Sequence, residues 1–137
     1  ELWRSATEEL LRWGTSIANF RRTNTRPTEL RGVPIEEGQK VVTYYTSGNR
    51  DEDVFDDPFA FDVRRSPNEH ITFGAGGVHY CLGANLARLE ISEMMREFVS
   101  RCPDYELTEE PLRMRSDFIA GINRMPVSFT PSARTRS

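Results

Sequence analysis

The chain has 137 residues, enough for one modest domain and too few for two. Hydrophobic residues make up 37% and charged residues 28%, a soluble composition with a limited core, while 8 Phe, 4 Tyr and 2 Trp supply more aromatic surface than a disordered chain carries. A formal net charge of −3 with no long basic run argues against nucleic acid as the main partner, and no apolar stretch reaches the about 18 residues of a membrane span.

Leu2, Ala6, Leu10 and Trp13 recur at spacings of four, four and three, which marks one face of a helix over residues 1–14, ending at Gly14. Opening directly on a helical pattern, with no signal peptide, points to a piece of something larger. Residues 15–46 then read as three or four short strands in antiparallel hairpins, punctuated by Arg26-Pro27, Arg31-Gly32 and Glu37-Gly38. Val41 to Tyr45 is the last of these strands, and Ser47 to Asp51 breaks it. Residues 47–72 have no clear period, yet Phe55, Phe59 and Phe61 mark a packed segment rather than a floppy one. A glycine-rich loop spans 73–83, and a long helix spans 82–101. Ala84, Ala87, Ile91, Met94, Met95 and Phe98 form one stripe of that helix and Leu82, Leu86 and Leu89 a second, so its first half is expected to be buried on two sides. Pro103 stops it, and 104–131 returns to short strands with a turn at Gly121. Residues 132–137 read as a frayed tail.

The chemistry concentrates at Phe73-Gly74-Ala75-Gly76-Gly77-Val78-His79-Tyr80-Cys81-Leu82-Gly83. A cysteine just before a helix sits at the positive end of its dipole, which favours thiolate over thiol. Glycines let backbone approach a large flat ligand closely. A phosphate loop would need Lys and Ser or Thr after the glycines, and these are absent. Cys81, His79, His70 and Cys102 match no standard zinc spacing. A nucleophilic Cys81 paired with His79 and a plain glycine turn with a buried cysteine both stay open on spacing alone. The two cysteines form no CxxC pair and no disulfide framework, which points to a reducing, cytoplasmic interior. Glu9 and Arg12, taken alone, read as an ordinary i,i+3 surface pair.

Taken together, the motifs resemble those of the cytochrome P-450 superfamily. Phe73-Gly74-x-Gly76 with His79-x-Cys81-x-Gly83 is similar to its haem-binding signature. Glu9-x-x-Arg12 resembles its Glu-x-x-Arg helix, Asp57-Pro58-x-x-Phe61-Asp62-x-x-Arg65 its meander, and Gly48-Asn49-Arg50-Asp51 a bacterial segment of the family. The four motifs stand in the family's order over nearly the whole chain. The resemblance implies a mainly α fold with small antiparallel β-sheets, represented here by its C-terminal portion only. It implies haem b as cofactor, with Cys81 the axial thiolate on iron, Phe73 shielding the thiolate, and Gly83 letting the long helix approach the porphyrin. His79 and Arg22 would bind haem propionates. Glu9, Arg12 and Arg65 would form a buried structural triad, and His70 and Cys102 would be packing residues. Gly14 to Phe20 and Phe118 to Ile122 would face substrate.

The implied activity is insertion of one atom of O2 into a lipophilic substrate, with electrons from a ferredoxin and a ferredoxin reductase. The loop from Phe73 to Cys81 is one residue longer than the usual bacterial form. That loop, with Arg115-Ser116-x-Phe118-Ile119-x-Gly121-Ile122, resembles actinobacterial members that hydroxylate sterols or methyl-branched lipids. The family's central helix with its acid–threonine pair is not among these residues, so the segment alone is expected to be inactive. A non-catalytic haem-thiolate binding or sensing protein would carry the same motifs. An autonomous fragment that holds no haem is a third reading.

Overall fold

A computed structural model describes residues 2–130. Helix α1 spans Leu2–Gly14, followed by strands β1 (Asn19–Thr23), β2 (Thr28–Leu30), β3 (Val33–Ile35) and β4 (Lys40–Tyr44). A single helical turn, α2 (Tyr45–Gly48), leads into the irregular segment, and α3 (Ala84–Arg101) is the long helix. Strands β5 (Glu106–Leu107), β6 (Leu112–Arg113), β7 (Ile122–Arg124) and β8 (Val127–Ser128) complete the described chain.

The strands form four antiparallel pairs, β1–β4, β2–β3, β5–β8 and β6–β7. The β2–β3 hairpin is nested inside β1–β4, in whose register Phe20 faces Thr43 and Arg22 faces Val41. Its two-residue turn, Arg31-Gly32, has positive φ at both positions (50° and 80°), the geometry whose twist matches the flanking strands. In the same way β6–β7 is nested inside β5–β8. A lone bridge, Ile17 to Ile119, joins the two halves, with the Ala18 N–H donating to Phe118 O at 2.8 Å and the Ala120 N–H to Ser16 O at 2.9 Å. The segments 14–20 and 118–122 therefore run side by side.

Several expectations change. Helix is a minority of the described residues, so a mainly α description does not hold for this segment by itself, although the small antiparallel sheets do. Strand β4 stops at Tyr44 because the chain turns into α2. The long helix starts at Ala84 rather than Leu82. Its first half is not buried on two sides: only Ala84 is fully buried, while Leu82, Leu86, Leu89 and Met94 are exposed. Among the described residues no element covers that face. The apolar stripe of α1 also misleads, since Leu2 and Trp13 are exposed and the fully buried positions are Ala6, Thr7, Glu9, Leu11 and Arg12. In the 47–72 segment Phe55 is buried, but Phe59 and Phe61 are exposed. The interior is thus unusually polar, with Thr7, Glu9, Arg12, Thr15, Asn49 and Thr72 joining Ala6, Leu11, Phe55 and Ala84.

Candidate functional site

Glu9 and Arg12 lie one helical turn apart on α1, and both side chains are 0% exposed. Two charges can be buried only if every donor and acceptor finds a partner. Arg12 achieves this: Nε and Nη2 donate to the two Glu9 carboxylate oxygens at 2.7 Å each. Nη1 donates to Asn49 O and Pro58 O, both at 2.8 Å, and Nη2 also to Ala60 O at 2.9 Å. All five N–H groups of the guanidinium are used. Glu9 accepts further bonds from the Asp62 backbone N–H (2.9 Å) and Asn68 Nδ2 (3.0 Å), with Arg65 Nε at 3.3 Å. Arg65 itself donates to the carbonyls of Asp56, Asp57 and Ala60. Phe55 lies under both guanidinium groups, 5.2 Å from Arg12 and 5.9 Å from Arg65. Burial pushes the Glu9 carboxyl pKa up, but the bonds from Arg12 and Asp62 outweigh it and hold it below the ordinary 4.5. The structure thus brings Glu9, Arg12 and Arg65 together in one cluster that ties α1 to the irregular segment.

Asn49 forms a second buried hub that residue-by-residue reading left without a role. Its Nδ2 donates to Thr15 Oγ1 and Thr72 Oγ1, both at 2.9 Å, and its Oδ1 accepts the Ile71 N–H at 2.7 Å. Thr72 Oγ1 in turn donates to Leu11 O, and Thr15 Oγ1 to Arg12 O. The end of α1 is therefore fastened to the segment that enters the glycine loop. Thr15 holds a φ of 36°, costly for a β-branched residue and retained by these bonds.

His70, expected to be a packing residue, is polar in its role. Its Nδ1 accepts the Thr72 N–H at 3.3 Å, which makes Nε2 the protonated nitrogen, and Nε2 lies 2.9 Å from Glu8 Oε2. Glu8 also takes two bonds from Arg88 on α3, at 2.7 and 3.0 Å. Burial raises the Glu8 carboxyl pKa, and the bonds from Arg88 and His70 bring it below the ordinary value. Neither Glu8 nor Arg88 stood out in the sequence, because a helical pattern cannot say which charge on a face meets another element.

In the loop, Gly74, Gly76 and Gly77 all have positive φ (90°, 100° and 77°), which keeps the backbone open ahead of Cys81. The Cys81 N–H donates to Phe73 O at 3.0 Å, closing the loop's two ends. Phe73 is half-buried, its ring edge-on to Tyr80 at 6.5 Å. Cys81 is exposed, and its neighbours Val78 and Leu82 are almost wholly bare. His79 is exposed as well. Arg22 lies on the exposed part of β1, stacks over Phe20 at 5.5 Å and pairs with no carboxylate among the described residues. At Gly83 a Cβ would meet only Cys81 Sγ, at 3.9 Å. Cys102 caps the far end of α3, about 27 Å along the helix from its start, and both cysteines are free. Among the described residues no group of three or more His, Cys, Asp or Glu side chains is placed to hold a metal ion. The exposed Cys81 thiol with a bare apolar rim on either side is a donor that suits a flat apolar ligand with an iron centre.

Residues 1–124 match the family described as Cytochrome P450. The chain is 48% identical over 126 residues to a methyl-branched lipid omega-hydroxylase of Mycobacterium tuberculosis, covering 92% of this chain and 29% of that protein. It is 44% identical over 126 residues to a steroid C26-monooxygenase of Mycobacterium bovis, with the same coverage. Among solved structures, a Mycobacterium marinum cytochrome P450 in complex with pseudoionone superposes with a TM-score of 0.90 at 44% identity, over 93% of this chain and 31% of the other. The chain thus spans about 30% of the length of these three relatives.

Proposed function

Because this chain belongs to the cytochrome P450 family, whose members bind haem b, we propose that it carries the thiolate-ligand portion of a monooxygenase acting on a lipophilic substrate. The observation that carries this reading is the exposed Cys81 thiol at the end of a three-glycine loop, with bare apolar side chains on either side. Haem, when bound, supplies the activation of O2 and the insertion of one of its atoms into the substrate.

The chain's own residues do the rest. Cys81 would supply the thiolate that holds the haem iron, its backbone kept in place by the bond from its N–H to Phe73 O. Phe73 would shield the thiolate side of the bound haem. Arg22 and His79 would hold the haem propionates, and Gly83, with no side chain, would let the long helix approach the porphyrin. Glu9, Arg12 and Arg65 lock α1 to the segment that leads into the loop, so the ligand is held by a rigid frame.

The finer reading is a sterol or branched lipid as substrate, supported by the names of the two mycobacterial relatives and by the long Phe73 to Cys81 loop. The segments 14–20 and 118–122, joined by the Ile17 to Ile119 bridge, contact it. Electrons come from a ferredoxin and its reductase. The whole protein is mainly α and cytoplasmic; among the described residues no helix is long and apolar enough to cross a membrane. The 137-residue segment is inactive on its own. The test is the absorption spectrum of the reduced, CO-bound full-length protein: Cys81→Ser should abolish the thiolate signature and Cys102→Ser should leave it intact. Loss on Cys102→Ser instead would overturn the assignment.

A further inference from the structure

We propose that Arg88, anchored by Glu8, is a positioning residue for the loop that carries Cys81, acting through Phe73 and Tyr80; this rests on the reading of Cys81 as the iron ligand. Arg88 lies on the second turn of α3. Its Nε and Nη2 grip both oxygens of Glu8 on α1, at 2.7 and 3.0 Å. Its Nη1 donates to the Tyr80 hydroxyl at 3.2 Å, and its Cζ stands 4.8 Å from the centre of the Phe73 ring.

These two aromatic residues are the two ends of the ligand loop. Tyr80 immediately precedes Cys81, and the Phe73 carbonyl accepts the Cys81 N–H. One guanidinium therefore touches both ends of the loop while its other side is fixed to a different helix. His70 completes the frame, bonded to Glu8 and edge-on to Phe73 at 6.0 Å. With Arg88 about a third exposed, the ion pair contributes little by itself. Its value is geometric: only a planar fork can bond Glu8 twice, reach Tyr80 and lie against a ring at once. A lysine offers a point charge and can satisfy just one of these contacts well.

The experiment uses the full-length, haem-loaded protein. Arg88→Met should release haem to a scavenging globin about tenfold faster, the scale seen when a group that orients a metal ligand is removed. In the same variant part of the reduced CO complex should move from the thiolate to the thiol-ligated absorption. Arg88→Lys should recover only part of both effects, and Tyr80→Phe should shift both in the same direction by less. Wild-type haem release and spectrum in Arg88→Met would overturn the proposal. Where that variant fails to accumulate, Tyr80→Phe decides, since it removes one oxygen atom, and wild-type behaviour there overturns it equally. Failure of the underlying reading is distinct: it would show as a thiolate spectrum that survives Cys81→Ser, whatever Arg88 does.

Discussion

At the scale of single residues, Arg12 contributes by satisfying other groups as much as by its charge. Its guanidinium neutralises Glu9 and also fills the carbonyls of Asn49, Pro58 and Ala60. Arg12→Ala strands the Glu9 carboxylate and those carbonyls, so the full-length protein should lose about 3–5 kcal/mol and most of its folded, haem-loaded yield. Arg12→Lys should fail nearly as badly, because three donors cannot replace five. Thermal unfolding and haem content check both, and a loss of only about 0–1 kcal/mol, the size of a surface pair, would show the cluster to be solvated. His70 carries a pH dependence. Burial disfavours its imidazolium, Glu8 works against that, and the net pKa lies below the ordinary 6.5. Stability from keeping His70 neutral is therefore full above pH 6.5 and is lost as the pH falls through the lower, folded value. The His70 ring signals should titrate below 6.5 by NMR, and His70→Gln should flatten the fall in stability across that window. A titration above 6.5 would contradict the Nδ1-acceptor geometry.

At the scale of elements, the glycine loop is where backbone conformation matters most. Gly76 has a φ of 100° and open space where a side chain would go, so a substitution there is penalised by conformation and not by a clash. Gly76→Ala should destabilise by about 1–2 kcal/mol in denaturant unfolding. Gly14, at the end of α1 and also unobstructed, has an ordinary φ, and Gly14→Ala should be neutral or stabilise by up to about 1 kcal/mol. Equal effects at the two positions would mean that the loop relaxes freely around its glycines.

At the scale of the molecule, Leu86 and Leu89 on α3, with Leu82 just ahead of its first turn, present an apolar face that the described segment leaves bare. Exposed contiguous apolar surface promotes association. The isolated 137-residue chain should therefore bind hydrophobic dyes and self-associate in light scattering, and Leu86→Glu with Leu89→Lys should reduce both. In the full-length protein the same pair should do the reverse and destabilise, because each buried leucine lost is worth about 2–5 kcal/mol. A monomeric isolated chain that couples substrate oxidation to electron supply would refute the inactivity of the segment.

Element types were legible in the sequence wherever one local rule sufficed. The α1 and α3 periods, the Arg31-Gly32 turn and the breakers around β1 to β4 all depend on near neighbours, and Cys81, Glu9, Arg12 and Arg65 are singled out by the resemblance of their motifs to those of the family, where spacing alone leaves them open. What the sequence left open depended on contacts between distant segments. Glu8 and Glu9 are adjacent acids on one helix, yet one meets Arg88 and His70 while the other meets Arg12 and Arg65. Leu2 and Trp13 fit an apolar stripe and are exposed, whereas Glu9, Arg12 and Asn49 are polar and fully buried. Burial of a polar group depends on partners that can lie some fifty residues away, as Pro58 and Ala60 do from Arg12, and only the tertiary structure assembles them.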